Sequence, residues 1–253
     1  MTRELVERHD GEGGVRTLVL NRPDRRNAFD RALADALSRA LDELDDDPRH
    51  RVGVLAANGP VFSAGTDLHE PSSPATERGG EYGVILRERR KPLVAAVEGP
   101  AFGGGFEIVL ACDLVVASTE AAFGLPEVAR GVVAACGGLF RTEDRLPAVL
   151  AMELALSAEP IDAERASAHG LVNRLCAPGL ARSEAERLAR RIARNSPAAV
   201  AATLTAIRTV RSAREGVGWA ATGEAVAAMA QHPERAEGIA AFFERREPDW
   251  SRR

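Results

Sequence analysis

Aromatic side chains are scarce in this chain: eight Phe, two Trp and one Tyr make up 4% of 253 residues. A core of the size this length allows must therefore be filled by aliphatic residues and an abundance of alanine, within a hydrophobic share of 45%. Cysteine is scarcer still. Cys112, Cys136 and Cys176 are an odd number at wide spacing, with no CxxC pair and no histidine nearby. This argues against a zinc ribbon or dithiol motif and leaves buried free thiols as the expected state. The five histidines are equally scattered, so no metal site is expected; His169 precedes Gly170, as a helix C-terminus would favour. Charge of one sign is also missing. The 33 basic and 37 acidic residues are mixed along the chain and sum to −4, which leaves no basic face to release counterions from nucleic acid. No apolar run approaches a membrane span, and "MTRELVERHDGEGG" lacks a signal-peptide core, so the expected location is the cytoplasm.

What is present reads as α/β. "ELVERHD" and "VRTLVL" have the pattern of two strands around the turn "GEGG". From Phe29 to Leu44 apolar residues recur at helical spacing, with Asp30 as a candidate N-cap and Pro48 beyond the end. "VGVLAA" reads as a strand buried on both faces, which requires helices above and below it. The stretch "EPSSPATERGGE", 70–81, is rich in Pro, Ser and Gly and predicts a mobile surface loop, with a helix expected after it. Strand patterns return at "PLVAAVEG" and "DLVVAS", separated by enough chain for a helical crossover between parallel strands. Beyond about Ala148 the pattern is helical, at 148–158, 162–170, 181–194, 197–213, 217–230 and 233–246, with only "LVNRLC" extended. This divides the chain into an α/β body, 1–195, and a helical C-terminal region, 196–253.

The sharpest local anomaly is "AFGGGFE". Three glycines at a helix start lose roughly 2–3 kcal/mol of propensity relative to alanine, so something must compensate. One reading is a tight strand-to-helix connection. The other is a helix N-terminus whose free N–H groups and dipole receive an anion, or an oxyanion formed during a reaction. A nucleotide-binding turn is disfavoured, because "GPAFGGG" is not GxGxxG and no P-loop Lys-Ser/Thr pair is present. Glu107 enters the apolar run that follows, and Glu127 lies in "FGLPEV" between apolar segments. Two carboxylates in such surroundings can have their pKa values pushed apart and divide acid and base work, although a simple first-turn role for Glu107 is open too. In "NGPVFSAGTDLHE", Gly65 and Thr66 offer another backbone N–H at a strand end. There Ser63 lacks a GxSxG elbow and a His partner, and Asp67 is suited to capping the turn after it.

Taken together, "LNRPDRRNAF", "FSAGTDL", "KPLVAAVEGPAFGGGFEIVLACDLVVAS", "FGLPEV" and "IDAERASAHGLVNRL" resemble the crotonase superfamily, specifically enoyl-CoA hydratases, over essentially the whole chain and in the right order. The resemblance implies a ClpP/crotonase-like α/β fold of repeated ββα units. A helical C-terminal region would drive trimerisation, giving a homotrimer or a dimer of trimers. It implies an oxyanion hole for an acyl-CoA thioester from the amides of Thr66 and Gly104. Glu107 and Glu127 would be the catalytic pair that adds water across a 2,3 double bond, Glu127 giving the proton to C2 and Glu107 acting as base on the water. Family isomerases usually keep the second glutamate and lack the first, so the pair favours hydration. For the CoA moiety it implies the backbone of Arg25, Arg26 and Ala28 near adenine and phosphates, with Ala64, Asp67 and Leu68 along pantetheine; Phe243 and Arg246 of the tail are weaker candidates. CoA arrives as part of the substrate, and no metal or other cofactor is implied. Two departures touch the chemistry: Thr66 stands where alanine is common, and Ala134 and Ala135 replace a common Pro-Gly pair near the expected water. Double-bond isomerisation, thioester hydrolysis and acyl-CoA binding without turnover are the competing readings.

Overall fold

The computed structural model describes residues 3–70 and 72–251; Pro71, within the expected loop, lies outside that set. The first two strands, β1 (Val6–Asp10) and β2 (Val15–Leu20), form an antiparallel hairpin with Val6 opposite Leu20. Helix α1 (Arg31–Asp46) follows, capped by Asp30, whose Oδ1 accepts the Leu33 N–H at 2.8 Å. Its stripe Leu33, Ala36, Leu37, Ala40, Leu41 and Leu44 is buried, as the spacing predicts. Strand β3 (Val52–Ala57) then pairs parallel to β2, and its side chains divide between two layers. Leu55 packs into the cluster that holds α1, whereas Val52, Val54 and Ala56 join the one on the opposite face.

The stretch expected to be a structureless loop instead contains a small hairpin, β4 (Ala75–Thr76) with β5 (Gly80–Glu81). The helix expected after it is absent; turns occupy 82–86, and Tyr82 takes a left-handed φ of +54°. Strand β6 (Leu93–Val97) leads through Gly99 and Pro100 to β7 (Ala101–Phe102) and α2 (Gly104–Ala111). The crossover returns the chain to β8 (Leu114–Ser118), parallel to β6, and then to β9 (Ala122–Gly124). A 3-10 turn over Pro126–Arg130 and the short α3 (Gly138–Arg141) come next. Thus a long strand in the main sheet, a short strand in a second sheet and a helical segment recur. Ser63, bridging Ala101 in parallel after β3, marks an earlier round of the same pattern.

The remaining elements are α4 (Ala148–Ser157), β10 (Ile161–Asp162), α5 (Ala163–Ala168), β11 (Arg174–Cys176), α6 (Ala181–Ala193), α7 (Pro197–Ala230) and α8 (Pro233–Glu244). The main sheet has the order β1-β2-β3-β6-β8-β11, and the small one β10-β9-β7. Ala185, Ala189 and Ala193 of α6 cover the second face, where small side chains let the helix lie close to Val15, Val54, Val94 and Val116. Two helices expected at 197–213 and 217–230 are one helix of 34 residues. The glycines there do not break it, because Gly218 sits where a Cβ would collide with the Phe140 ring. Nearby, Arg141 binds both carboxylate oxygens of Glu215 at 3.0 and 2.9 Å, so tertiary contacts outweigh glycine's poor propensity. Among the described residues no helix is long and apolar enough to cross a membrane. The three cysteines are free; Cys112 and Cys136 are buried, but Cys176 on the edge strand β11 is only half-buried, contrary to expectation.

Candidate functional site

Each glycine of "GGG" answers to a different neighbour. Gly103 has φ +55° as the N-cap of α2, and a Cβ there would come within 3.0 Å of Glu127 Oε1. A Cβ on Gly104 would collide with the Tyr82 hydroxyl and ring, and one on Gly105 with the Ser63 carbonyl oxygen. All eight residues of α2 are buried, and this packing supplies the compensation that glycine's propensity demands. The second glycine-bearing turn closes on the same helix mouth. Gly65, at φ +87°, leaves no room for a Cβ, which would lie 2.7 Å from Gly104 N. Two hydrogen bonds clamp the turn: Phe29 N–H to Gly65 O at 2.8 Å and Asp67 N–H to Phe29 O at 2.9 Å. The amides of Thr66 and Gly104 are thereby brought onto adjoining segments, and among the described residues neither N–H has an acceptor. Two free donors with a helix dipole behind one of them suit an oxygen that gains negative charge.

The two carboxylates sit in different surroundings. Glu107, 2% exposed, projects from α2, and its Oε1 accepts N–H bonds from Cys136 at 2.7 Å and Gly138 at 2.9 Å. Glu127 stands on the 3-10 turn, and its Oε2 is buried without a partner among the described residues. Burial, and after it repulsion from Glu107, pushes the Glu127 carboxyl up to about 8. Burial also raises Glu107 above the usual carboxylate range, but the two backbone amides oppose it. Of the pair, Glu127 is the one that holds a proton at neutral pH and Glu107 the one built to carry the charge.

The other predicted residues lie on two neighbouring segments and on the C-terminal tail. Arg25 and Arg26 are exposed and Ala28 is half-buried. The Ala64 N–H donates to Arg26 O at 3.0 Å, which joins the 25–28 and 64–68 segments side by side. Asp67 Oδ1 accepts the His69 N–H at 3.2 Å, the turn-capping role its position predicts. Its other oxygen is held by Arg22 at 2.9 Å, a residue the sequence reading missed. Arg22 also donates to Ala28 O at 2.8 Å and pairs with Asp30 at 3.0 Å, so it ties both segments to the cap of α1. Leu68, next to that pair, is half-buried. Ser63 is fully buried; its hydroxyl donates to Asn27 O at 2.8 Å and accepts the Gly65 N–H at 3.1 Å, holding the turn together. Of the tail residues, Phe243 reaches the His69 ring at 5.4 Å, whereas Arg246 is paired with Glu237 and Glu244 around its own helix. Helix α8 backs the Glu127 turn closely, for a Cβ on Gly131 would collide with Glu234 O and one on Gly238 with the Arg130 backbone.

Three further residues, Ser73, Tyr82 and Cys136, enter the site without having been singled out as part of it. Tyr82 Oη lies 2.7 Å from Thr66 Oγ1 and 3.0 Å from Ser73 Oγ, and Cys136 Sγ donates to Ser73 Oγ at 3.5 Å. The only available signal was compositional: Tyr82 is the single tyrosine of the chain.

The geometry has relatives. The profile of the enoyl-CoA hydratase/isomerase family matches residues 10–253. A carnitinyl-CoA dehydratase of Salmonella arizonae is 35% identical over 249 residues, spanning 94% of this chain and 95% of that protein. A 2,3-dehydroadipyl-CoA hydratase of Escherichia coli is 36% identical, spanning 94% and 96%. Among solved structures, a carnitinyl-CoA hydratase from Mycobacterium avium superposes with a TM-score of 0.92 at 36% identity, covering 100% of both chains. By profile, sequence and fold, this chain belongs to the enoyl-CoA hydratase/isomerase family of the crotonase superfamily.

Proposed function

We propose that the protein is an enoyl-CoA hydratase that adds water in the syn sense across the double bond of a 2,3-enoyl-CoA, giving a 3-hydroxyacyl-CoA, as in fatty-acid-type β-oxidation. The observation that carries this reading is the pairing of two glutamates, one held by two backbone amides and the other with a buried oxygen that has no partner among the described residues, beside two unpaired amides. In this reading the thioester oxygen accepts from the Thr66 and Gly104 N–H groups. Glu107 takes a proton from water as its oxygen bonds to C3. The electron pair of the double bond moves toward the thioester oxygen, and the Glu127 carboxyl returns a proton to C2. The amides act where charge develops, so they stabilise the enolate-like transition state more than the ground state. The relatives' names share hydration or dehydration of a CoA thioester and differ in the acyl group, which supports the reaction type and leaves pathway and chain open to experiment.

The CoA moiety is assigned to the backbone of Arg25, Arg26 and Ala28 and to Ala64, Asp67 and Leu68, with Arg22 holding Asp67 in place. The Arg25 and Arg26 side chains are exposed and can draw phosphate charge. No further cofactor is proposed, and the location proposed is the cytoplasm. A homotrimer or dimer of trimers is proposed for the assembly, supported by apolar side chains that a lone chain leaves in solvent: Val149 at 82% on α4, with Ile207 at 61% and Val217 at 79% on α7. The deciding experiment incubates purified protein with 2,3-enoyl-CoA esters and identifies the product. Loss of the conjugated-thioester absorbance with formation of 3-hydroxyacyl-CoA is expected. A shifted alkene, free CoA or no reaction with any ester would overturn the assignment.

A further inference from the structure

Tyr82 is buried at 1% exposure, its ring 5.2 Å from that of Phe29. A phenylalanine would fill that space equally well, so the hydroxyl calls for a separate explanation. It sits in a triangle of hydroxyls: 2.7 Å to Thr66 Oγ1, 3.0 Å to Ser73 Oγ, and 3.2 Å between those two. The triangle touches both halves of the site. Thr66 carries one unpaired amide, Tyr82 lies against Gly104, which carries the other, and the thiol bonded to Ser73 belongs to Cys136, whose N–H holds Glu107. The polar cluster therefore joins the segments that carry the assigned oxyanion donors to the loop that holds the assigned base, which sets it beside the place that the acyl-CoA reading assigns to the first carbons of the acyl chain.

A wall built for a plain alkyl chain gains nothing from hydroxyls, which lose hydration on burial unless they are partnered. Within the triangle each hydroxyl can donate once and still accept, and Thr66 and Ser73 are only half-buried. Thr66 thus differs from an alanine at the same position by a hydroxyl that has been given two partners.

We propose that Thr66, Ser73 and Tyr82 form a recognition site for an oxygen on the acyl chain, so that the preferred substrates are 2,3-enoyl-CoA esters with a hydroxyl at C4 rather than plain alkyl esters. The inference rests on the acyl-CoA reading of the same site. One added net hydrogen bond corresponds to a preference of about tenfold. An apolar pocket merely tolerates an added hydroxyl and gives no such preference.

The test measures equilibrium binding, by calorimetry, of butyryl-CoA and 4-hydroxybutyryl-CoA, which are saturated and do not hydrate. The protein binds the hydroxy ester about tenfold more tightly. Tyr82→Phe and Ser73→Ala each reduce that preference to less than about twofold while leaving butyryl-CoA affinity in place, as expected when one hydrogen bond is removed. Ser73 lies on the hairpin approach, so its variant remains informative if Tyr82→Phe fails to fold. Equal affinity for the two esters, or a preference that survives both substitutions, overturns the proposal. Failure of both esters to bind overturns the acyl-CoA reading together with it. Preferential binding without hydration in the product assay would uphold this inference and overturn only the hydratase assignment.

Discussion

Glu107 and Glu127 are the same residue type in two differently built regions, and the difference between those regions divides their work. Glu107 belongs to a buried helix, and the loop at 136–138 aims two amides at one of its oxygens. Burial raises the pKa of Glu107, and the hydrogen bonds from the two N–H groups, which favour the carboxylate, oppose that rise. Glu127 belongs to a 3-10 turn backed by α8, where one oxygen is buried with no donor among the described residues. Burial, and after it repulsion from Glu107, outweigh the opposing pull of a backbone N–H and of Arg130, so it keeps its proton up to about 8. A pair that shares a single proton, with a preferred holder, is already set for a reaction that removes a proton from water and gives one to carbon.

The comparison breaks most sharply at the carboxylates themselves. Glu107→Gln and Glu127→Gln should each lower kcat by about 10²–10⁴ if the groups are base and acid. Their pH profiles should differ. The proton donor is lost as pH rises through about 8, so the parent's rate falls on the alkaline side and Glu127→Gln lacks that limb. Ionisation of Glu107 sets the acid side, where the rate falls as pH drops through its raised pKa, and Glu107→Gln lacks that limb. Steady-state kinetics across pH check both, and an alkaline limb that persists in Glu127→Gln would move the proton to another group.

A smaller effect is expected where the two regions meet the oxyanion donors. In Gly105→Ala the new methyl meets the Ser63 carbonyl oxygen, a backbone atom that cannot swing aside, and pushes the mouth of α2 away from the 63–66 turn. Overpacking of this kind costs about 1–3 kcal/mol of stability. Misaligning one oxyanion donor should lower kcat by up to about 10²–10³. Thermal unfolding and kcat are measured together, and a variant with lowered Tm and parental kcat would show that the amides of Thr66 and Gly104 do not act as a pair.

Much of this arrangement was legible because periodicity and capping are local. Asp30, the α1 stripe and the buried strand β3 depend on residues within a few positions of one another, and they form as read. The family motifs brought Glu107, Glu127, Thr66 and Gly104 forward, and the structure places these on adjoining segments. What could not be read depends on residues distant in sequence. Gly218 looks like a helix break until Phe140 is beside it, and a Pro- and Ser-rich stretch looks like a free loop until Ser73 meets Tyr82. Arg22 carries no local signal in a chain with 33 basic residues, yet Asp67 and Asp30 converge on it. That the glutamates divide acid and base work is expected from the sequence, but the contacts that set the division are not, since they depend on which oxygen two amides find and which oxygen finds none.

The mildest prediction concerns the backing of Glu127 alone. In Gly238→Ala the added methyl of α8 meets the Arg130 backbone, which loosens the helix from the turn without touching Glu107. Water reaching Glu127 would reduce the burial that raises its pKa, so the alkaline limb should move from about 8 toward lower pH while the acid limb stays in place. Stability should follow the same group. Because the folded pKa of Glu127 lies above its unfolded value, its contribution is complete below the ordinary glutamate pKa and is lost as pH rises through about 8. The variant, with a smaller difference between folded and unfolded pKa, should lose less stability over that window. Denaturant midpoints at about pH 5 and pH 9, on either side of the shifted group, measure the loss in both proteins. An unchanged loss, with an unchanged alkaline limb, would mean that the turn rather than α8 keeps the Glu127 oxygen dry.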